Sequence, residues 1–225
     1  MSRTYRGTIS YGHDTDGLTG REHFYVTVHD DGSRTLRCIC EMDKVPLIRD
    51  VVYTVNSRFE ALDGFVRLGA EGAFIGSGWF RFTDSMAEGE VVTAREGRVS
   101  QRIETPGRVK LMGSHPISID IWKCAHVEAA RPGEVQTLSN CFSTSLVPNG
   151  ASGPLLVTKS YDITYDGPEE IEVPAGRFAC ERFSWNTYTG RTLVMHTVPG
   201  DWLPVSVHVP ETGRRYQLVD FERMD

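Results

Sequence analysis

Leu203, Val205, Val207 and Val209 alternate strictly with Pro204, Ser206 and His208. In an extended strand neighbouring side chains point to opposite faces, so this pattern buries one face and solvates the other. The stretch belongs to a longer run, residues 155–222, in which such segments are separated by Gly, Pro and Asp. Tyr161, Ile163 and Tyr165 alternate with Asp162 and Thr164 until Asp166-Gly167-Pro168 interrupts them. Residues 170–173 lead to a turn at Pro174-Ala175-Gly176. The longest segment, 177–188, turns at Thr189-Gly190 into Thr192–Val198, and Thr212-Gly213 turns Leu203–Val209 into 214–222. This punctuation predicts a β-meander. It also predicts that Leu203, Val205 and Val207 face a core while Ser206 and His208 face away.

The earlier part of the chain extends the pattern. Alternation marks strands at 3–11, 23–29 and 33–42, with Asp30-Asp31-Gly32 as a hairpin signal. Short runs at 51–55, 59–62 and 65–68 follow. Gly69, Gly72, Gly76 and Gly78 then punctuate a stretch ending in Trp79-Phe80-Arg81-Phe82. Glycines inside a strand pattern mark bends, bulges or close approach to the backbone. Runs at 91–94, 98–103 and 135–146 continue the strands, and 148–154 is a long turn. In segment 177–188, Phe178 and Cys180 occupy one phase and Phe183 and Trp185 the other. That change predicts a bulge near Glu181-Arg182, or burial on both faces.

Residues 114–128 break the rhythm. Pro116 suits a first helical position, and on a helix His115, Ile119, Trp122 and His126 form one stripe. A short helix or irregular crossover is expected here. Trp122 and His126 share a side in the helical and in the extended reading, and the segment is placed as a plug or lid at one end of a concavity. The expected fold is all-β: residues 1–225 as a single domain, a strongly curved antiparallel meander forming an open or half barrel, with one crossover near 115–128.

Composition narrows the function classes. A net charge of -6 and a pI near 5.7 argue against a nucleic-acid partner, and no Lys/Arg cluster supplies the footprint one needs. No run reaches the ~18 apolar residues of a membrane span. The opening residues enter a strand directly without a basic and then apolar leader, so a cytoplasmic location is expected. Five cysteines, an odd number with no Cys-x-x-Cys, suit reduced thiols. Cys38 and Cys40 fall on one strand face as small core side chains. Asp14 and Asp16 have calcium-loop spacing without the remaining ligand positions, which leaves a solvated turn. The glycine-rich stretch lacks the Lys-Ser/Thr of a phosphate loop.

Glu170-Ile171-Glu172-Val173-Pro174-Ala175-Gly176-Arg177-Phe178, then Trp202-Leu203-Pro204-Val205, then Tyr216-Gln217-Leu218-Val219 resemble a bacterial family known only as a domain of unknown function. Its members have an open β-barrel similar to the lipoprotein carriers of the bacterial envelope. The resemblance implies an open or half barrel with an apolar concavity and no established reaction.

The densest polar group is His115, Asp120, Lys123, Cys124 and His126. Asp, Lys and His in one segment supply an acid, a base and an electrostatic stabiliser, and His126, Asp120, Lys123 and His115 are the catalytic candidates. The competing reading is a solvated surface helix. A metal shared by the two histidines is not expected, since eleven residues of helix separate them by about 16 Å at roughly 1.5 Å per residue. Cys124 with His126, or Cys141 near Asn140, is the weaker option of a cysteine nucleophile. His196 and His208 read as ordinary strand histidines. Most aromatic residues belong to the core, while Trp122, Trp79, Phe82 and Trp185 are the candidates for lining a cavity. No cofactor motif is present, and no oligomeric state follows from the sequence. Two functions share these residues: binding a lipophilic small molecule in the concavity, and cofactor-free acid–base catalysis, as a lyase, isomerase or hydratase, in the same place. An uncovered sheet edge used as a partner-binding module is a third.

Overall fold

The protein, a computed structural model, is described over residues 2–147, 150–187 and 190–224. Pro148 and Asn149 of the long turn, and Tyr188 and Thr189 of the expected hairpin, lie outside them. Strands make up 65% of the described residues and helix 6%, well under the ~30–35% helix of an average domain.

The first half supplies β1 (Arg3–His13), β2 (Gly17–Val28), β3 (Arg34–Met42), β4 (Leu47–Val55), β5 (Ala61–Ala70), β6 (Ala73–Phe82), β7 (Met86–Thr93) and β8 (Gly97–Glu104). The short β9 (Leu111–Gly113) leads into the crossover. The second half supplies β10 (Val135–Ser143), β11 (Val157–Val173), β12 (Gly176–Asn186), β13 (Thr192–Val198), β14 (Leu203–Val209) and β15 (Arg214–Met224). All belong to one sheet, in the order β8 to β1, then β15 down to β9. Pairing is antiparallel except between β9 and β10. The first and last strands thus meet in the middle, while β8 and β9 form the edges of a sheet that curls without closing.

Alternation places the core as expected. Leu203, Val205 and Val207 are buried, whereas Ser206 and His208 are not. Cys38 and Cys40 are buried side by side, and all five cysteines are free. Asp14 pairs with Arg215 and Asp16 with Lys44, as a solvated turn would.

Three sequence readings are corrected. Residues 59–62 and 65–68 are not two strands: Ala61 opens a continuous β5 after Phe59, which takes a φ of 63°. Asp166-Gly167-Pro168 is not a turn. Tyr165 pairs with Phe183 and Gly167 with Arg182, so Asp166 is an extra residue bulged out of an unbroken β11. Gly167 absorbs the distortion at φ 109°, which a residue with a Cβ would resist. The irregularity expected at Glu181-Arg182 therefore lies on the partner strand. Cys180 and Phe183, in opposite phases of β12, are both buried.

Residues 114–127 fill the curl. After Pro116, α1 (Ile117–Asp120) runs into a 3-10 turn, Ile121–His126. The segment touches both halves of the sheet. Its Ile117 and Ser118 amides donate to Glu22 on β2, Trp122 packs on Tyr53 of β4, and Lys123 lies against β11 and β12. It is a plug buried almost all round, its polar Ser114, Ser118 and Lys123 included, not a lid with one buried stripe. Close approach needs small neighbours: a Cβ at Gly64 would come within 2.8 Å of the Met112 sulfur, and one at Gly76 within 2.8 Å of Pro154 Cδ.

Asp201, in the turn before β14, ties the middle of the sheet. It accepts hydrogen bonds from Arg3, Tyr5 and Arg34 at 2.7–3.3 Å, and Arg34 also lies 4.1 Å from the Phe59 ring centre. Burial pushes the Asp201 carboxyl up, but these three donors hold it below its usual value. A native pKa below the unfolded value of about 3.9 adds stability above that pH, and the gain is lost as pH falls through the native pKa. Asp201→Asn is therefore expected to destabilise at neutral pH and to flatten stability against pH below about 4. Thermal melts from pH 7 to pH 2.5 check this; parallel curves for variant and wild type would refute it.

Candidate functional site

Between the plug and the second half of the sheet a cleft of about 650 Å³ remains. Trp185 from β12, Leu193 from β13, Val209 from β14 and Tyr216 from β15 form its apolar wall, with Tyr161 from β11 beside Trp185. These rings pack edge to face, their centres 5.2 Å apart. His115 and Asp120 of the plug supply polar groups, and Lys159, Arg191 and Arg214 line the cleft as well, with several Ser, Thr and Asn side chains.

Asp120 keeps part of its surface open to the cleft, and no hydrogen bond reaches its carboxylate among the described residues. Burial raises its pKa, while Lys123 and Arg49 pull the other way. His115 adopts a φ of 77°, and its Nε2 has no hydrogen-bond partner. Burial, reinforced by Arg49, Lys123 and Lys159, pushes its imidazole down to about 3, so the ring is neutral at pH 7. Lys123 is fully buried with its Nζ unpartnered, 3.4 Å from the Trp185 ring centre and 4.7 Å from that of Tyr161. Burial lowers its pKa, against the pull of Asp120. A desolvated amine lying over aromatic faces recovers part of its lost hydration through cation–π attraction when charged, but burial favours the neutral form.

The residues expected from sequence divide into two groups. His115, Asp120 and Trp185 line the cleft, and Lys123 lies buried against Trp185 and Tyr161 of its wall. Trp122, His126, Phe82 and Trp79 do not line it. Trp122 is 1% exposed, its ring centre 5.7 Å from those of both Tyr53 and Phe59. His126 turns toward the backbone, where its Nε2 donates to the Phe59 and Lys110 carbonyls. Phe82 packs on Phe142 in the core, and Trp79 is 45% exposed, paired across β5 and β6 with Phe65. The shared side of Trp122 and His126 is thus the core side of the plug. The thiols of Cys124 and Cys141 are buried and pushed up to about 12, which leaves them protonated and poor nucleophiles at neutral pH.

Sequence reasoning missed Glu22. It is fully buried on β2 and accepts from Tyr11 Oη at 2.6 Å, Ile117 N at 2.8 Å, Ser118 N at 3.0 Å and the Ser118 hydroxyl. Its signal was available: Glu22 continues the inward phase of Phe24 and Val26. One of its carboxylate oxygens and the sulfurs of Cys38 and Cys40 lie within 4.8 Å of one another. Each carboxylate oxygen already accepts two hydrogen bonds, however, so this group is a strut between β2 and the plug. Tyr161 and Leu193 were also missed as cleft residues, because period-two patterning identifies an inward face without locating the part of it left uncovered.

The fold defines an open all-β barrel with an internal plug. The chain is similar in fold to a β-barrel-like protein of the domain of unknown function DUF1849, from Brucella abortus: TM-score 0.55, 9% identity, covering all of this chain and 97% of that one. The expected likeness to an open-barrel bacterial domain of unknown function holds as a likeness of fold, over the whole chain and not only residues 155–222. A second structure, MucB in complex with MucA(peri), aligns over 96% of this chain and 86% of that one at 11% identity, but its TM-score of 0.21 carries no argument. No family model and no curated protein matches the chain. No helix among the described residues is long and apolar enough to cross a membrane.

Proposed function

We propose that the protein binds a lipophilic small molecule in the cleft between the plug and strands β11–β15. The observation that carries this reading is the cleft itself. Its volume of about 650 Å³ lies within the roughly 300–1,000 Å³ of small-molecule sites, and the side formed by Tyr161, Trp185, Leu193, Val209 and Tyr216 is apolar, as such sites require, while polar and charged side chains line the rest. The polar groups without partners, His115 Nε2 and the Asp120 carboxylate, are suited to orienting a ligand's polar end. Fluorescence titration with N-phenyl-1-naphthylamine tests the reading. Leu193→Asp is expected to weaken the probe about tenfold or more, a change of about 1.4 kcal/mol. Trp79→Ala, outside the cleft, is expected to leave it unchanged. Absence of binding, or equal loss in both variants, would refute the proposal.

Asp120 favours a second reading, acid–base catalysis in the same cleft. Its raised pKa and lack of a hydrogen-bond partner suit a proton-transfer group, with neutral His115 as a hydrogen-bonding partner for the substrate. His126, engaged by two backbone carbonyls, takes no part in this version.

A further inference from the structure

We propose that Lys123 is a covalent capture site, its amine forming an imine with the carbonyl carbon of an aldehyde or ketone seated in the cleft. The inference rests on the binding reading of that cleft and names the chemical class it takes.

The geometry is unusual for a structural lysine. Lysine side chains are almost never fully buried unless paired, yet Lys123 Nζ has no hydrogen-bond partner and no carboxylate within salt-bridge distance among the described residues. Its neighbours are two rings, Trp185 and Tyr161, and both line the cleft. Those rings are the wall between amine and cleft, and Trp185 is half-buried. Rotation of its indole opens the amine to a ligand. Desolvation in an apolar surrounding shifts a lysine toward the free amine, the nucleophilic form.

The step balances without a redox partner. The Nζ lone pair attacks the carbonyl carbon and gives a carbinolamine. A proton leaves nitrogen, another reaches the hydroxyl oxygen, and water departs as the C=N bond forms. Asp120, three residues earlier and open to the cleft, is the group placed to relay that proton. Its raised pKa lets it donate as an acid and be restored by the proton released from nitrogen.

The full chain is incubated at pH 7 with propanal or octanal plus sodium cyanoborohydride, which reduces an imine to a stable secondary amine, and modified lysines are mapped by peptide mass spectrometry. The other lysines, Lys44, Lys110 and Lys159, provide the internal comparison. Lys123 is expected to be alkylated at least tenfold faster than any of them, faster by octanal than by propanal, and faster again in Trp185→Ala. Asp120→Asn is expected to slow Lys123 while leaving the other lysines unchanged. Modification of Lys123 no faster than of the others, in wild type and in Trp185→Ala alike, would overturn the proposal. Naphthylamine binding without selective labelling rejects capture and leaves the binding reading standing. Selective labelling at equal rates by the two aldehydes, without naphthylamine binding, supports capture and rejects the lipophilic ligand. Because Trp185→Ala and wild type carry the decision, nothing depends on a Lys123 variant folding.

Discussion

Trp122→Ala is expected to lower folding stability by about 3–5 kcal/mol, the range for truncating a buried large aromatic. The indole is the largest fully buried side chain and wedges between Tyr53 and Phe59. Its removal takes away burial and leaves a cavity at the point where the plug meets β4, which rigid neighbours close only in part. Trp122→Phe should cost much less, because the indole N–H has no hydrogen-bond partner to lose. Urea denaturation of both variants checks this. Near-wild-type stability in Trp122→Ala would mean that the plug detaches from the first half of the sheet without consequence.

Glu22→Leu carries the second large effect. It strands the Ile117 and Ser118 amides and the Ser118 hydroxyl and leaves the Tyr11 hydroxyl only the Cys40 sulfur at 3.6 Å, and each buried donor left unpaired costs about 1–3 kcal/mol. A loss of several kcal/mol is expected, with the plug released from β2. Hydrogen exchange at Ile117 and Ser118 should rise by orders of magnitude more than at Val205 on β14. Burial raises the Glu22 pKa despite its four donors. A raised native pKa gives a contribution fully present below the unfolded value of about 4.3 and lost as pH rises through the native value. Glu22→Gln should therefore flatten the decline of stability with pH in that window. Unchanged exchange in Glu22→Leu would show that the packing of Trp122 holds the plug alone.

Much of the fold was legible because a strand's demand on sequence is local. Alternation at Leu203–Val209, turns rich in Gly, Pro and Asp, and the break at residues 114–128 each follow from backbone geometry within a few residues. The bulge at Asp166 was misread for the same reason. Asp-Gly-Pro has the local chemistry of a turn, and only pairing with the uninterrupted β12 keeps the strand running through it.

The candidate site was half legible. Residues 114–128 stand out as the candidate chemical centre because they depart from the strand pattern and concentrate His, Asp and Lys. Which of them meet the cleft was decided by tertiary structure. Trp122 and His126 share a face, as periodicity requires, but periodicity does not say what that face meets. The curl of the sheet turned it toward Tyr53 and Phe59 and left Asp120, His115 and the wall around Lys123 on the side facing β11–β15. Nor could local pattern pair Glu22 with two amides 95 and 96 residues further along the chain. The sequence by itself determined the strands, their inward faces and the segment that interrupts them, since these depend on neighbours along the chain. The open cleft, the buried unpaired lysine and the strut that fixes the plug were decided only in three dimensions, because desolvation and unpaired polar atoms depend on what the rest of the fold brings near.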